Sequence, residues 1–241
     1  MSMGIIQWRP LRVLLWSLLP LAVGCNSIEK DHGADFLKPF ASVESMDAQA
    51  KRQPIPDERS LCIETAKTVA TKGHAEEAIK LFERAEELDP NASTLDRNLA
   101  PLYAEVGNHA AAIERYKLIL QATPDDADLI NNYAWTLMEA GRFDQAIEEA
   151  MKGLQKSPEN KRLRSTLAMT YYRQGDHGNA FQQWEMAVGK TAALHNLALL
   201  DIEAGEIDSA RKNLQRAKQD PNLDDQTNAL VAALETSTQQ R

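Results

Sequence analysis

Between residues 57 and 222, apolar side chains return every three or four positions and polar residues fill the intervening ones, which is the period of helices with one buried face. Ile79, Phe82, Ala85 and Leu88 show it in its simplest form, as a single stripe at i, i+3 spacing. Glycines interrupt these stripes at fixed intervals. Gly73, Gly107, Gly141, Gly175 and Gly205 are separated by 34, 34, 34 and 30 residues. Five residues after each stands an alanine: Ala78, Ala112, Ala146, Ala180 and Ala210. Seven residues before each stands another: Ala66, Ala100, Ala134, Ala168 and Ala198. Phe82, Tyr116, Ala150, Trp184 and Leu214 follow nine residues after the glycines, and Pro90, Pro124 and Pro158 close the first three units. The pattern predicts a helix, a tight turn at the glycine, a second helix and a loop, five times over. Alanine suits points where two helices approach closely, glycine permits the turn, and proline stops the second helix from running on. One such hairpin cannot cover its own apolar stripe, so the units must stack into a solenoid.

Five units in register, at about 57–92, 93–126, 127–160, 161–190 and 191–222, resemble the tetratricopeptide repeat family. The resemblance implies an all-α solenoid whose first helices line a concave wall. Three positions depart from the family pattern: Cys62 stands where tryptophan is often found, Asp201 replaces an aromatic or apolar residue, and Gly153 interrupts a small-residue site. The short last step removes four residues, about one helical turn. Because Val188-Gly189-Lys190 follows Trp184 so soon, the second helix of the fourth unit is expected to end one turn early. Beyond Pro221, residues 223–241 are expected to form a capping helix and tail, with Ala229, Leu230, Ala233 and Leu234 on the packed face.

The first 24 residues have a different character. Arg9 and Arg12 precede an apolar run over residues 13–23, and Gly24 precedes Cys25. These are the parts of a secretory signal. As a helix the run would cover about 16 Å against roughly 30 Å of hydrocarbon, too short for a permanent span. Leu21-Ala22-Val23-Gly24-Cys25 resembles a bacterial lipoprotein box, which implies cleavage before Cys25 and lipidation of its thiol. Ala22 stands where leucine is usually favoured, and a plain secretory signal is the alternative. The resemblance, with Asn26 after the cysteine, implies the bacterial envelope, at the periplasmic face of the outer membrane where one exists. Residues 25–56 lack a sustained period and contain Gly33, Pro39, Pro54 and Pro56, as a flexible tether would. Phe36, Leu37 and Phe40 are alternatively a short docking motif.

Charge and chemistry narrow the function further. The chain carries 27 basic and 35 acidic residues, a formal net charge of −8, which disfavours nucleic-acid binding. Two cysteines in unrelated contexts, Cys25 and Cys62, provide neither a disulfide framework nor a zinc site. No catalytic motif or phosphate-cradling loop is present, so the chain is expected to be no enzyme and to need no cofactor or metal. His74, His109 and His177 lie at or beside the turns, but His109 and His177 are two repeats apart. His74 and His109 form at most a weak pair, and solvated turn residues are the simpler reading.

Protein binding has more to work with. Trp135 and Met169, six residues before their glycines, and Met138 and Tyr172, three before, converge in the third and fourth units. Such side chains make a large, adaptable contact surface or else pack between helices. Asn98, Asn132 and Asn196 occupy the position nine before the glycine, and Asn131 and His195 the one before that. In some members of the family an asparagine ladder holds an extended peptide, since an amide both donates and accepts; bonding between adjacent helices is the alternative. The Lys/Asn clamp of chaperone-binding members is not matched, because Arg97, Pro101 and Trp135 occupy its places. Arg162 and Arg173 add positive charge to the same wall and suit an acidic stretch in a partner. A lipoprotein signal followed by five repeats resembles the accessory lipoproteins of pilus and secretion assembly, particularly the tight-adherence type. A general periplasmic partner-binding protein and a regulatory subunit of an envelope enzyme are the other expectations.

Overall fold

A computed structural model describes residues 57–221, 223 and 225–239, with the side chains of the last helix described as far as Leu234. The segment expected to be a signal, Cys25 and the expected tether lie outside the described residues. Among those described, the chain forms eleven helices and no strand: α1 (Glu58–Thr71), α2 (Ala75–Leu88), α3 (Asp96–Glu105), α4 (His109–Ala122), α5 (Ala127–Glu139), α6 (Phe143–Lys156), α7 (Lys161–Gln174), α8 (His177–Val188), α9 (Lys190–Glu203), α10 (Ile207–Ala217) and α11 (Asp225–Gln239). No helix among the described residues is long and apolar enough to cross a membrane.

Helices α1 to α10 pair as five antiparallel hairpins, and the local sequence explains where each begins and ends. Asp57, Asn108, Asp126, Asn160 and Asp176 stand at helix starts, where their side-chain oxygens accept from otherwise orphaned backbone N–H groups. At the hairpin turn, Gly175 takes φ 89°, in the left-handed region. Its N–H and that of Asp176 bond back to the carbonyls of Tyr172 and Tyr171, which closes the end of α7. The other repeat turns use their glycines with the same sign of φ.

Packing confirms why alanine recurs. All ten of the periodic alanines, from Ala66 to Ala210, are 0% exposed. Each is wholly covered by packed neighbours, so a larger side chain would have to displace them. The residues nine after the glycines, Phe82, Tyr116, Ala150, Trp184 and Leu214, are buried beside them. Gly153 is a stricter case of the same requirement rather than an interruption. A Cβ there would lie 2.9 Å from Leu163 Cδ1 and 3.0 Å from Ile130 Cγ2, so α6 is drawn tightly onto α5 and α7.

The first two repeats are further joined by a partly buried ion cluster. Arg115 on α4 donates through both terminal nitrogens to Glu86 on α2, at 2.9 and 2.8 Å, and to Asp96 on α3 at 2.7 Å. Burial alone would lower the Arg115 pKa, but the bonds to Glu86 and Asp96 outweigh it and hold the guanidinium charged.

Two expectations need correction. Helix α8 has 12 residues against 14 in α6, so it is half a turn short rather than a full turn. Most of the missing length lies in the connection: four residues separate α6 from α7, whereas Gly189 alone separates α8 from α9. The capping helix α11 is also rotated. Its buried residues are Thr227 and Val231, while Ala229 and Ala233 are exposed and Leu230 and Leu234 flank the contact. Thr227 takes this place because it reaches His195 on α9, 2.9 Å from Oγ1 to Nδ1.

The Ala134 site packs with Ile130, Ala150, Leu163 and Leu167 across three helices. Replacing it by leucine is expected to overpack that site at a cost of about 1–3 kcal/mol, lowering the midpoint of a circular-dichroism melt by several degrees. An unchanged midpoint would mean that α5 and α6 are not in tight contact there.

Candidate functional site

The first helices α1, α3, α5, α7 and α9 stand side by side and form one wall of the stack. Residues six before the turn glycine point outward from it: Lys67, Pro101, Trp135 and Leu199 are exposed and Met169 is half-buried. Around Trp135 the wall hollows into a trough of about 590 Å³, to which α3 contributes Pro101 and Ala104, α5 contributes Asn132 and Trp135, and α7 contributes Lys161, Arg162 and Ser165.

The floor of the trough is polar but internally satisfied. Thr166 Oγ1 donates to Asn131 Oδ1 at 2.8 Å, joining α7 to α5, and Thr136 Oγ1 donates to the Asn132 carbonyl at 2.8 Å. Tyr116 reaches the floor from α4; burial pushes its hydroxyl up to about 12. That hydroxyl stays protonated at neutral pH.

The rim differs. Trp135 is 41% exposed, an unusual degree for an indole on a folded surface. The Asn132 side chain makes no hydrogen bond among the described residues, so its amide can donate and accept. Lys161 has no ion-pair partner among the described residues. Arg162 bonds Asp128 at 2.7 Å, but both side chains are mostly exposed and such a pair contributes little. No carboxylate lines the trough, and its net character is an apolar surface with two cations at one edge.

A second hollow, of about 600 Å³, lies between second helices and contains Lys117, Tyr133, Lys152 and Lys156. Its lysines each face a carboxylate, and one of these, Glu149, is itself part of the lining. Lys117 pairs with Glu114 at 2.7 Å, Lys152 with Glu148 and Glu149 at 2.8 and 2.9 Å, and Lys156 with Asp125. Unspent charge and an exposed indole occur together only in the first trough, among the described residues.

Trp135, Asn131, Asn132 and Arg162, singled out from the sequence, meet in this trough; the others do not. Met138 is a correction: it is 1% exposed and belongs to the core, because three residues before the glycine is a position that turns inward on α5. Met169 packs between core clusters from its half-buried position. Tyr172 is half-buried outside the trough, stacked on His177 and donating to Asp201 at 3.0 Å. Arg173 is tied to Glu139 at 2.9 Å. His195 is held by Thr227 of the capping helix rather than offered on the wall. The asparagine ladder keeps Asn98, Asn132 and Asn196 without side-chain bonds among the described residues, but Thr166 breaks it by pairing with Asn131. Lys161 and Ser165 also line the trough; the sequence pattern places Ser165 on the wall, ten before its glycine, but marks neither as a binding residue. Ser165 carries no charge or aromatic ring to mark it, and Lys161 stands at the very start of α7.

Models described as tetratricopeptide repeat match residues 70–131, 103–151 and 133–193, together just over half of the chain. Solved structures of similar fold include a crystal structure of MamA protein, 18% identical, covering 68% of this chain and 92% of that one with a TM-score of 0.53. A MamA RS-1 ArsTM double mutant is 13% identical over 69% of this chain and 96% of that one, with a TM-score of 0.52. The thermophilic tetratricopeptide protein TTC0263 of Thermus thermophilus is 18% identical over 74% and 99%, with a TM-score of 0.48. At these identities the likeness to the two MamA structures bears on the fold alone. No curated protein matches the chain.

Proposed function

This chain belongs to the tetratricopeptide repeat family, and from that premise we propose that it is a non-catalytic scaffold held at a bacterial membrane by lipid on Cys25, binding an extended segment of a partner protein. Binding proteins or peptides is the general role of such repeats. The observation that supports this site above others is the trough in which exposed Trp135 lies beside the unspent amide of Asn132 and the unpaired ammonium of Lys161. An apolar or aromatic side chain of the partner covers Trp135, its backbone meets Asn132, and an acidic residue faces Lys161 and Arg162. The charges orient the partner and speed its arrival more than they tighten it.

The process we assign is the assembly of a pilus or secretion complex in the envelope. Its support is the layout of a lipoprotein-like signal, a tether and five repeats, which resembles the accessory lipoproteins of tight-adherence systems. Neighbouring genes for a pilin, a secretion ATPase and a secretin would favour it; an isolated gene or an adjoining envelope enzyme would favour general periplasmic partner binding or a regulatory subunit.

Partner capture from crosslinked envelopes, followed by titration of the captured protein, tests the trough. Trp135→Ala is expected to weaken binding by at least about 2 kcal/mol, roughly thirtyfold. Asn132→Ala is expected to cost about 1 kcal/mol, since its hydrogen bonds compete with water. Normal binding by a stably folded Trp135→Ala chain would move the site to the second helices or the tether.

Lipidation is tested separately. Cys25→Ser is expected to abolish incorporation of a radiolabelled fatty acid and to leave an unprocessed or soluble chain; undiminished incorporation would exclude Cys25 as the acceptor.

A further inference from the structure

Away from the trough, three side chains with metal-ligating atoms meet where the fourth repeat joins the fifth. His177 is the first residue of α8, Asp201 lies in the last turn of α9, and Glu206 stands at the start of α10. A ring nitrogen of His177 and one oxygen from each carboxylate lie within 4.8 Å of one another. Three separate helices, from two repeats, thus bring them together.

The environment of Asp201 makes the cluster more than a chance meeting of surface groups. Asp201 is 0% exposed, at a position where the family pattern places an aromatic or apolar residue. Tyr172 donates to its Oδ1 at 3.0 Å, while Ser209 and Asn213 donate to its Oδ2 at 2.7 and 2.9 Å. All three donors are neutral, and no lysine or arginine pairs with Asp201 among the described residues. A buried carboxylate is costly without a compensating positive charge. A carboxylate has about four lone-pair sites, and three accepted bonds leave room for one more ligand.

We propose that His177, Asp201 and Glu206 form a divalent-cation site, best suited to Zn²⁺, that clasps the fourth repeat to the fifth. One imidazole nitrogen and two carboxylate oxygens are a donor set that zinc accepts, with water completing the coordination. Zinc–ligand distances near 2.1 Å in a tetrahedron require donors about 3.4 Å apart, so the cluster must contract slightly. Glu206 is exposed at the turn and its side chain makes no capping bond, which leaves it free to swing inward. His177 is already oriented: its ring stacks on Tyr172 with centroids 4.7 Å apart, and the Tyr172 hydroxyl holds Asp201. Such outer bonds are what position metal ligands elsewhere. The clasp would join α8 and α9 at the ends opposite Gly189, so that the two helices are held together at both ends.

The test uses the full chain, stripped with a chelator and titrated with zinc chloride by calorimetry, alongside thermal melts. Saturable binding of one Zn²⁺ per chain with a raised melting temperature is expected. His177→Ala and Glu206→Gln, which remove one ligand each, are expected to weaken binding by roughly tenfold or more while leaving the metal-free melt of Glu206→Gln unchanged. Co²⁺ is expected to give d–d absorption without a thiolate charge-transfer band. Absence of saturable binding would overturn the proposal, as would undiminished affinity in both variants or a thiolate band marking a cysteine site.

Discussion

The close approach of two helices at an alanine is the contact on which this molecule depends. Each of the five hairpins has one periodic alanine on each helix, and all ten are wholly buried. A methyl group there lets the axes come together; anything larger would spread the hairpin and tilt the next one. Since each repeat packs mainly on its neighbours, a change in one spacing would propagate along the stack. The wall of first helices is regular because those spacings are regular, and the trough around Trp135 is a consequence. Its floor is fixed by the Thr166–Asn131 bond between α7 and α5, so the rim residues are held at set distances rather than on mobile loops.

Charge follows a similar division between structure and availability. Several of the described ions are paired with each other: Arg115 with Glu86 and Asp96, Arg173 with Glu139, and the lysines of the second hollow with neighbouring carboxylates. In a chain with a net charge of −8, a trough edged by Lys161 and Arg162 and free of carboxylates stands apart. An acidic partner segment would meet general repulsion elsewhere and local attraction here, which makes the trough selective in position as well as favourable in contact.

The solenoid was legible in the sequence because steric rules act on single residues at fixed positions. Glycine at the turn, alanine at the contact and proline after the second helix each answer one local demand. Trp135 could be placed on a first helix by the same register, but whether it packed between helices or faced outward stayed open until its exposure was seen. What periodicity could not reveal was how polar side chains choose among neighbours. Asn131 and Asn132 differ by one position, yet Asn131 is buried by Thr166 while Asn132 is left on the rim. Met138 turned inward although Trp135, one turn earlier, turned outward. His195 was taken by Thr227, from a capping helix whose facing side the spacing had placed only in part, since Leu230 and Leu234 pack there but Ala229 and Ala233 do not. Asp201 was visible as a departure from the family pattern, but nothing in the linear order tied it to His177 and Glu206.

Photo-crosslinking from single positions in intact cells most directly tests whether the wall of first helices is the working surface. A photoreactive residue replacing Ser165, in the trough, and another replacing Leu118, exposed on α4, sample the two sides of the stack. A discrete partner adduct from position 165 and none from position 118 is the predicted result. An adduct from position 118 alone would contradict it and place the partner on the second helices.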